Sequence, residues 1–132
     1  MEKFKVNESD LILISQAKKL IAERKLDDWH AVSSVLRTNS GSFFEGLHLE
    51  AYVGRIAICA EAVALGAAAV AGDTKIDTIV AVYKDGEIVS PCGMCREMIS
   101  DYSPQAFVIL QDKEGPFKVQ ISDLIPLKYS RD

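Results

Sequence analysis

The sequence predicts an α/β fold of three layers, a mixed five-stranded sheet with helices on both faces, and three observations predict it. Along 132 residues the apolar patterning runs helix, strand, strand, helix, strand, helix, strand, strand. Thr78-Ile79-Val80-Ala81-Val82-Tyr83 is a nearly continuous apolar run with β-branched residues, as suits a central strand covered on both faces. Only the segment Gln111 to Pro116 separates the last two strands, too little for a crossover helix, so that pair should be antiparallel.

From about Asp10 to Lys25, Leu11, Ile12, Ile14, Ala17, Leu20, Ile21 and Ala22 recur near helical spacing, with Ser9 ahead of them as the expected cap. His30 to Arg37 reads as a strand, Asn39-Ser40-Gly41 as a tight turn and Ser42 to Leu49 as the returning strand, which together predict a hairpin. After a connection through Tyr52 to Arg55, the Ala-rich stretch Cys59 to Ala71 is helical, and Gly72 stands where a left-handed cap is expected. The central strand Thr78 to Tyr83 follows, then a helix from Cys92 to Tyr102. Ala106 to Leu110 and Phe117 to Ile121 close the chain as strands. No repeat, low-complexity segment or linker divides the sequence, so residues 1–132 are expected to form a single domain.

Fifteen basic against nineteen acidic residues give a formal charge of -4, and no basic run is dense enough to neutralise a phosphate backbone. Nucleic acid is thereby a poor candidate for the substrate. The polar start Met1-Glu2-Lys3-Phe4-Lys5 does not resemble a secretory signal, and the apolar stretch around Cys59 to Ala71 is too short to cross a bilayer. No membrane association and a cytoplasmic location are the expectations. Three cysteines, an odd number, make metal binding or redox chemistry a better reading than a disulfide framework.

Those cysteines carry the chemistry. Cys59-Ala60-Glu61 opens one helix and Pro91-Cys92-Gly93-Met94-Cys95 the next. Cys92 and Cys95, three apart, place both sulfurs on one side of a helix's first turn, and Cys59 completes a set of three thiolate ligands for Zn2+. The fourth tetrahedral position stays open for water, as in a catalytic site. Both ligand groups sit at helix N-termini, where the helix dipole favours thiolate. Glu61 lies roughly 200° around a helix from Cys59, awkward for shared ligation and suited to proton transfer. Alone, Cys-x-x-Cys fits a redox pair or half of a structural site, and a lone helix glutamate is usually solvated. The ordered set of a ligand, Glu two residues on, and Pro-Cys-x-x-Cys matches zinc-dependent nucleobase deaminases. His30 or His48 as a fourth ligand would give a closed, non-catalytic structural zinc protein, but neither shows ligand spacing with a cysteine.

Over nearly its whole length the chain resembles the cytidine deaminase superfamily, and within it the small homotetrameric branch whose first ligand is cysteine. The resemblance rests on the hairpin, Cys59-Ala60-Glu61, Val89 to Glu97 and the ending Leu124-Ile125-Pro126-Leu127-Lys128-Tyr129. The segments His48 to Arg55, Ser90 to Arg96 and Leu124 to Tyr129 are most similar to the bacterial blasticidin S deaminase type. It implies the cytidine deaminase-like fold and zinc on Cys59, Cys92 and Cys95. Glu61 would be the proton shuttle as water attacks C4 of cytosine, giving uracil and ammonia. It further implies that backbone around Ala60 and Ser90 touches the pyrimidine edge, that His30 forms a pocket wall, and that Tyr129 lies near active sites shared in a homotetramer.

The departures bear on substrate. Ordinary cytidine deaminases hold ribose with Asn-x-Glu-Asn, and that register here reads His48-Leu49-Glu50-Ala51. Glu50 survives while both asparagines are gone, which favours a modified cytosine nucleoside of the blasticidin S type; ordinary cytidine or deoxycytidine salvage is the alternative. An arginine usual after Cys-Ala-Glu is replaced by Ala62, leaving helix dipoles and Arg96 as candidates to temper the charge of three thiolates. Editing deaminases of tRNA or DNA generally use His as first ligand and place a helix between the last two strands, and Cys59 and the short Gln111 to Pro116 turn argue against both.

Overall fold

In a computed structural model, which describes residues 1–131, the chain forms three α-helices and five strands. Helix α1 spans Glu8–Arg24 and is capped by Asn7: the Asn7 side chain accepts from the Asp10 amide at 2.8 Å, and the Asp10 carboxylate accepts from the Asn7 amide at 3.0 Å. The cap expected at Ser9 is therefore two residues too late. Ser9 instead accepts a hydrogen bond from Arg37 at 2.8 Å.

Strands β1 (Val32–Thr38) and β2 (Phe43–Leu47) pair as the expected hairpin, with Gly41 at φ +89° in the turn. Helix α2 (Ala60–Val70) ends at Gly72, whose φ of +70° confirms the left-handed cap. Strand β3 (Ile76–Tyr83) leads through a turn at Gly86 to helix α3 (Gly93–Tyr102). Strands β4 (Phe107–Asp112) and β5 (Gly115–Gln120) follow, antiparallel as predicted. They reach further toward each other than the sequence suggested: Gln111 pairs with Pro116 and Asp112 with Gly115, so only Lys113 and Glu114 remain between them.

Among the described residues the sheet order is β2-β1-β3-β4-β5, with β3 and β4 parallel and the other neighbouring pairs antiparallel. Alternation divides each strand between two cores. Leu13, Ile14, Ala17 and Ile21 of α1 pack with Val35, Val80, Val82 and Ile109 on one face. On the other, Ala64, Leu65 and Ala68 of α2 and Ile99 of α3 pack with Leu36, Ile79, Val108 and Val119. Three layers result, as expected. At the far edge, Phe4 adds a single bridge to β5: its N–H reaches Lys118 O at 2.8 Å and the Lys118 N–H returns to Phe4 O at 2.9 Å.

Asp10, wholly buried, joins α1 to the sheet. Its carboxylate meets Arg37 of β1 at 2.9 Å and Lys118 of β5 at 2.8 Å, while Arg37 also reaches Asp77 of β3 at 2.6 Å.

One contact sets the height of α2. Gly46 of β2 is buried beneath its first turn, and a Cβ there would lie 2.4 Å from both the Ala60 carbonyl oxygen and the Ala64 amide nitrogen. Those two atoms are an i, i+4 pair of the first helical turn. Only a residue without a side chain lets the helix come so near.

Candidate active site

The N-termini of α2 and α3 meet over one end of the sheet. Cys59 is the N-cap of α2, Cys92 that of α3, and Cys95 lies in the first turn of α3. Their three sulfurs lie within 4.8 Å of one another, with Cys59 Sγ and Cys92 Sγ 3.4 Å apart. Tetrahedral zinc with bonds of about 2.3 Å separates its sulfur ligands by roughly 3.8 Å, so the residues fit the ion. The three come together as the spacing predicted.

Burial grades the thiols: Cys92 is exposed, Cys59 half-buried, and Cys95 only 2% exposed. Burial pushes the Cys95 thiol far upward, with the Glu61 charge and the other two sulfurs adding to it. Burial also raises Cys59, helped by Cys92. Cys92 moves the other way, because the amides of Cys95 and Met94 and the neighbouring sulfurs outweigh its burial. The helix-terminus effect read from the sequence thus prevails at one of the two caps. Three thiols that oppose each other's ionisation beside a carboxylate form a donor set that a divalent cation relieves.

Glu61 is 6% exposed and its burial raises the carboxyl above the usual glutamate range, against a bond from its own backbone and one with Cys95. That bond places it at the sulfur cluster, on the helix that Gly46 supports. A buried carboxyl beside the three sulfurs is placed to carry a proton.

Arg96 does not point its donors at the sulfurs. Nε donates to Pro91 O at 2.9 Å, Nη1 to Leu124 O at 3.1 Å and Nη2 to Ser90 Oγ at 2.8 Å. It fastens the loop that delivers Cys92, and the Ser90 hydroxyl is engaged by it. Ala60 is fully buried under the α2 turn.

His30, His48 and Glu50 gather in one cluster beside the metal ligands, because Leu49 and Ile58 exchange backbone bonds of 2.9 Å one residue before Cys59. His30 Nδ1 lies 2.8 Å from His48 O, and His48 Nε2 lies 3.3 Å from Glu50 Oε2. Tyr129 is elsewhere in its own chain. It is 79% exposed and lies with Lys128 along the C-terminal half of α3, beside Asp101 and Tyr102. Lys128 is tied there to Ser100, Asp101 and Glu97.

Gly46 is the residue that sequence reasoning missed. Its signal was present, since glycine inside a strand pattern marks a close approach of another backbone.

Residues 7–111 match the model of the cytidine and deoxycytidylate deaminase zinc-binding region. The chain is 43% identical to a blasticidin-S deaminase of Bacillus cereus over 140 residues, covering all of both proteins. It is 31% identical over 75 residues to a cytidine deaminase of Mycoplasma genitalium, 56% of this chain and 57% of that one. Among solved structures, cytidine deaminase from Burkholderia pseudomallei is similar with a TM-score of 0.76 and 27% identity, covering 94% of this chain and 100% of that one. Cytidine deaminase from Mycobacterium tuberculosis has a TM-score of 0.79 at 19% identity, covering 94% and 99%, a likeness of fold.

Proposed function

This chain belongs to the cytidine and deoxycytidylate deaminase family, and from that premise we propose that it hydrolyses the cytosine amine of a blasticidin S-type nucleoside, leaving uracil and ammonia. It is a zinc-dependent deaminase. The observation that carries the chemistry is Glu61, buried against Cys95 beside the cluster of three sulfurs.

Cys59, Cys92 and Cys95 would hold zinc, which would supply Lewis acidity that lowers the pKa of water. Glu61 would take one proton from the attacking water and place it on N3 of cytosine, then take the second from the new C4 hydroxyl and deliver it to the exocyclic amine, so that C4=O forms as the C4–N bond breaks and ammonia leaves. Backbone at Ala60 and Ser90 borders the pyrimidine, His30 walls the base, and the part of the wall carrying His48 and Glu50 takes the sugar side. Arg96 holds the Ser90 to Cys92 loop still while this happens.

The substrate rests on the full-length similarity to a protein named for blasticidin S and on the loss of both asparagines around Glu50. The partial match to a cytidine deaminase favours ordinary cytidine or deoxycytidine salvage as the second reading. Blasticidin S, cytidine and deoxycytidine compared for ammonia release under one set of conditions decide the matter. A higher kcat/KM for blasticidin S is expected, and a clear preference for cytidine rejects the assignment.

We further propose a single-domain cytoplasmic protein that works as a homotetramer. Among the described residues no helix is long and apolar enough to cross a membrane. Gly66, Ala67, Ala69 and Val70 form an exposed small-residue face on α2, and Leu49, Tyr52, Val53, Ile56 and Ile58 expose apolar surface before it. Tyr129, remote from its own sulfurs, would cover a site on a neighbouring subunit. Light scattering that finds a fully active monomer rejects this assembly.

A further inference from the structure

The two histidines beside the metal ligands are each confined to one tautomer by the backbone. His30 Nδ1 lies 2.8 Å from the His48 carbonyl oxygen. A carbonyl only accepts, so Nδ1 of His30 carries a proton, and in the neutral imidazole Nε2 is the acceptor. The Ala31 amide, which only donates, points at His48 Nδ1 at 3.1 Å. Nδ1 of His48 is therefore the bare nitrogen, and the proton sits on Nε2, 3.3 Å from Glu50 Oε2.

The surrounding chain holds this arrangement in place. The His48 amide donates to Val32 O at 2.9 Å, the Glu50 amide to Trp29 O at 3.1 Å, and the Ala51 amide to Glu50 Oε1 at 3.0 Å. His48 thus has its backbone N–H, its carbonyl and Nδ1 all engaged within the protein, and its one remaining proton faces a carboxylate.

We propose that His48 is a positioning residue for Glu50 and makes no contact of its own with substrate. This rests on the proposed use of the wall by the sugar side of a nucleoside, and it defines what the wall recognises. With His48 engaged by the backbone, the wall presents the Glu50 carboxylate, an acceptor. The part of the substrate lying there has to bring O–H or N–H donors, and a protonated amine satisfies the carboxylate better than a neutral hydroxyl. An acceptor-only or anionic substituent is rejected.

Two measurements test the role. In the full-length zinc-loaded protein, 15N-resolved NMR of the imidazoles should find opposite tautomers, Nδ1–H at His30 and Nε2–H at His48. This readout is independent of which nucleoside is the substrate, so it stands apart from any failure of the blasticidin S assignment. A His48 ring protonated at Nδ1 overturns the proposal outright. Second, His48→Ala and Glu50→Gln should each raise KM for the turned-over nucleoside about tenfold, the loss of one hydrogen bond, with kcat within about twofold. The double variant should be no worse than Glu50→Gln alone, because His48 acts through Glu50. Additive losses would mean that His48 touches substrate itself, and would refute the positioning role.

Discussion

Gly46→Ala tests whether the approach of α2 to the sheet sets the catalytic geometry. The added Cβ would lie 2.4 Å from Ala60 O and Ala64 N and 3.1 Å from Ala64 Cα. Carbon rarely comes nearer than about 3 Å to such atoms, so the helix must retreat by at least about 0.6 Å. All three atoms are backbone, and no side chain can swing aside. Overpacking of this kind costs about 1–3 kcal/mol, or roughly 5–10 °C in Tm for a chain of this size. Cys59 and Glu61 flank Ala60 and move with it, while Cys92 and Cys95 stay on α3. A misplacement near 1 Å costs about 100-fold in rate. Purified Gly46→Ala, assayed for zinc affinity, thermal unfolding and ammonia release, should be less stable, hold zinc more weakly and turn over about 100-fold more slowly. Ala64→Gly in the same chain should not rescue it, because the obstruction is main chain. A variant with wild-type Tm and kcat would refute the reasoning.

Three further outcomes follow from the site and its support. Glu61→Gln should keep about one zinc per chain yet lose about 10²- to 10⁴-fold in kcat, since proton transfer goes and no ligand does; near-normal turnover would assign the shuttle elsewhere. Arg96→Ala should free the Ser90 to Cys92 loop and weaken zinc about 10- to 100-fold in competition with a chelator, as loss of an outer support does. Asp10→Ala should destabilise the fold by about 3–5 kcal/mol in denaturant titrations, leaving Arg37 and Lys118 without their shared buried anion. Burial opposes ionisation of Asp10, but Lys118, the Asn7 amide and Arg37 outweigh it and hold its pKa below the ordinary value. Its contribution is therefore complete above the unfolded pKa of about 4 and is lost as pH falls through the lower folded value. Wild-type stability should decline there, and the decline should be shallower in Asp10→Asn.

The sheet was legible because its signals are local. The β-branched run ending at Tyr83 and the short stretch between the last strands define a central strand and an antiparallel pair wherever they occur. The sulfur cluster was legible because spacing within a helix turn fixes where side chains go. The cap of α1 was misplaced because Asn7, Ser9 and Asp10 all have capping chemistry. What decides among them is that Asp10 returns the bond to Asn7 while Ser9 is taken by Arg37, 28 residues away. Gly46 escaped notice for a similar reason, since its meaning depends on which helix lies over it. The thiols show the same limit: position at a helix terminus is read from sequence, but the burial that reverses its effect at Cys59 is a tertiary property.

The bridge between Phe4 and Lys118 has a consequence for how copies of this chain can meet. An open sheet edge invites another strand to add to the ladder, and stacked additions grow without limit. Here the edge at β5 is already occupied at Phe4, and Pro116 removes one of the donors that an incoming strand would need. At the opposite edge β2 is only five residues long and carries the exposed charge of Glu45. Continuation of the sheet from one molecule to the next is thus discouraged at both ends. Any meeting of copies is left to helix faces and loops, surfaces of finite extent, where one contact does not template the next as an open ladder does.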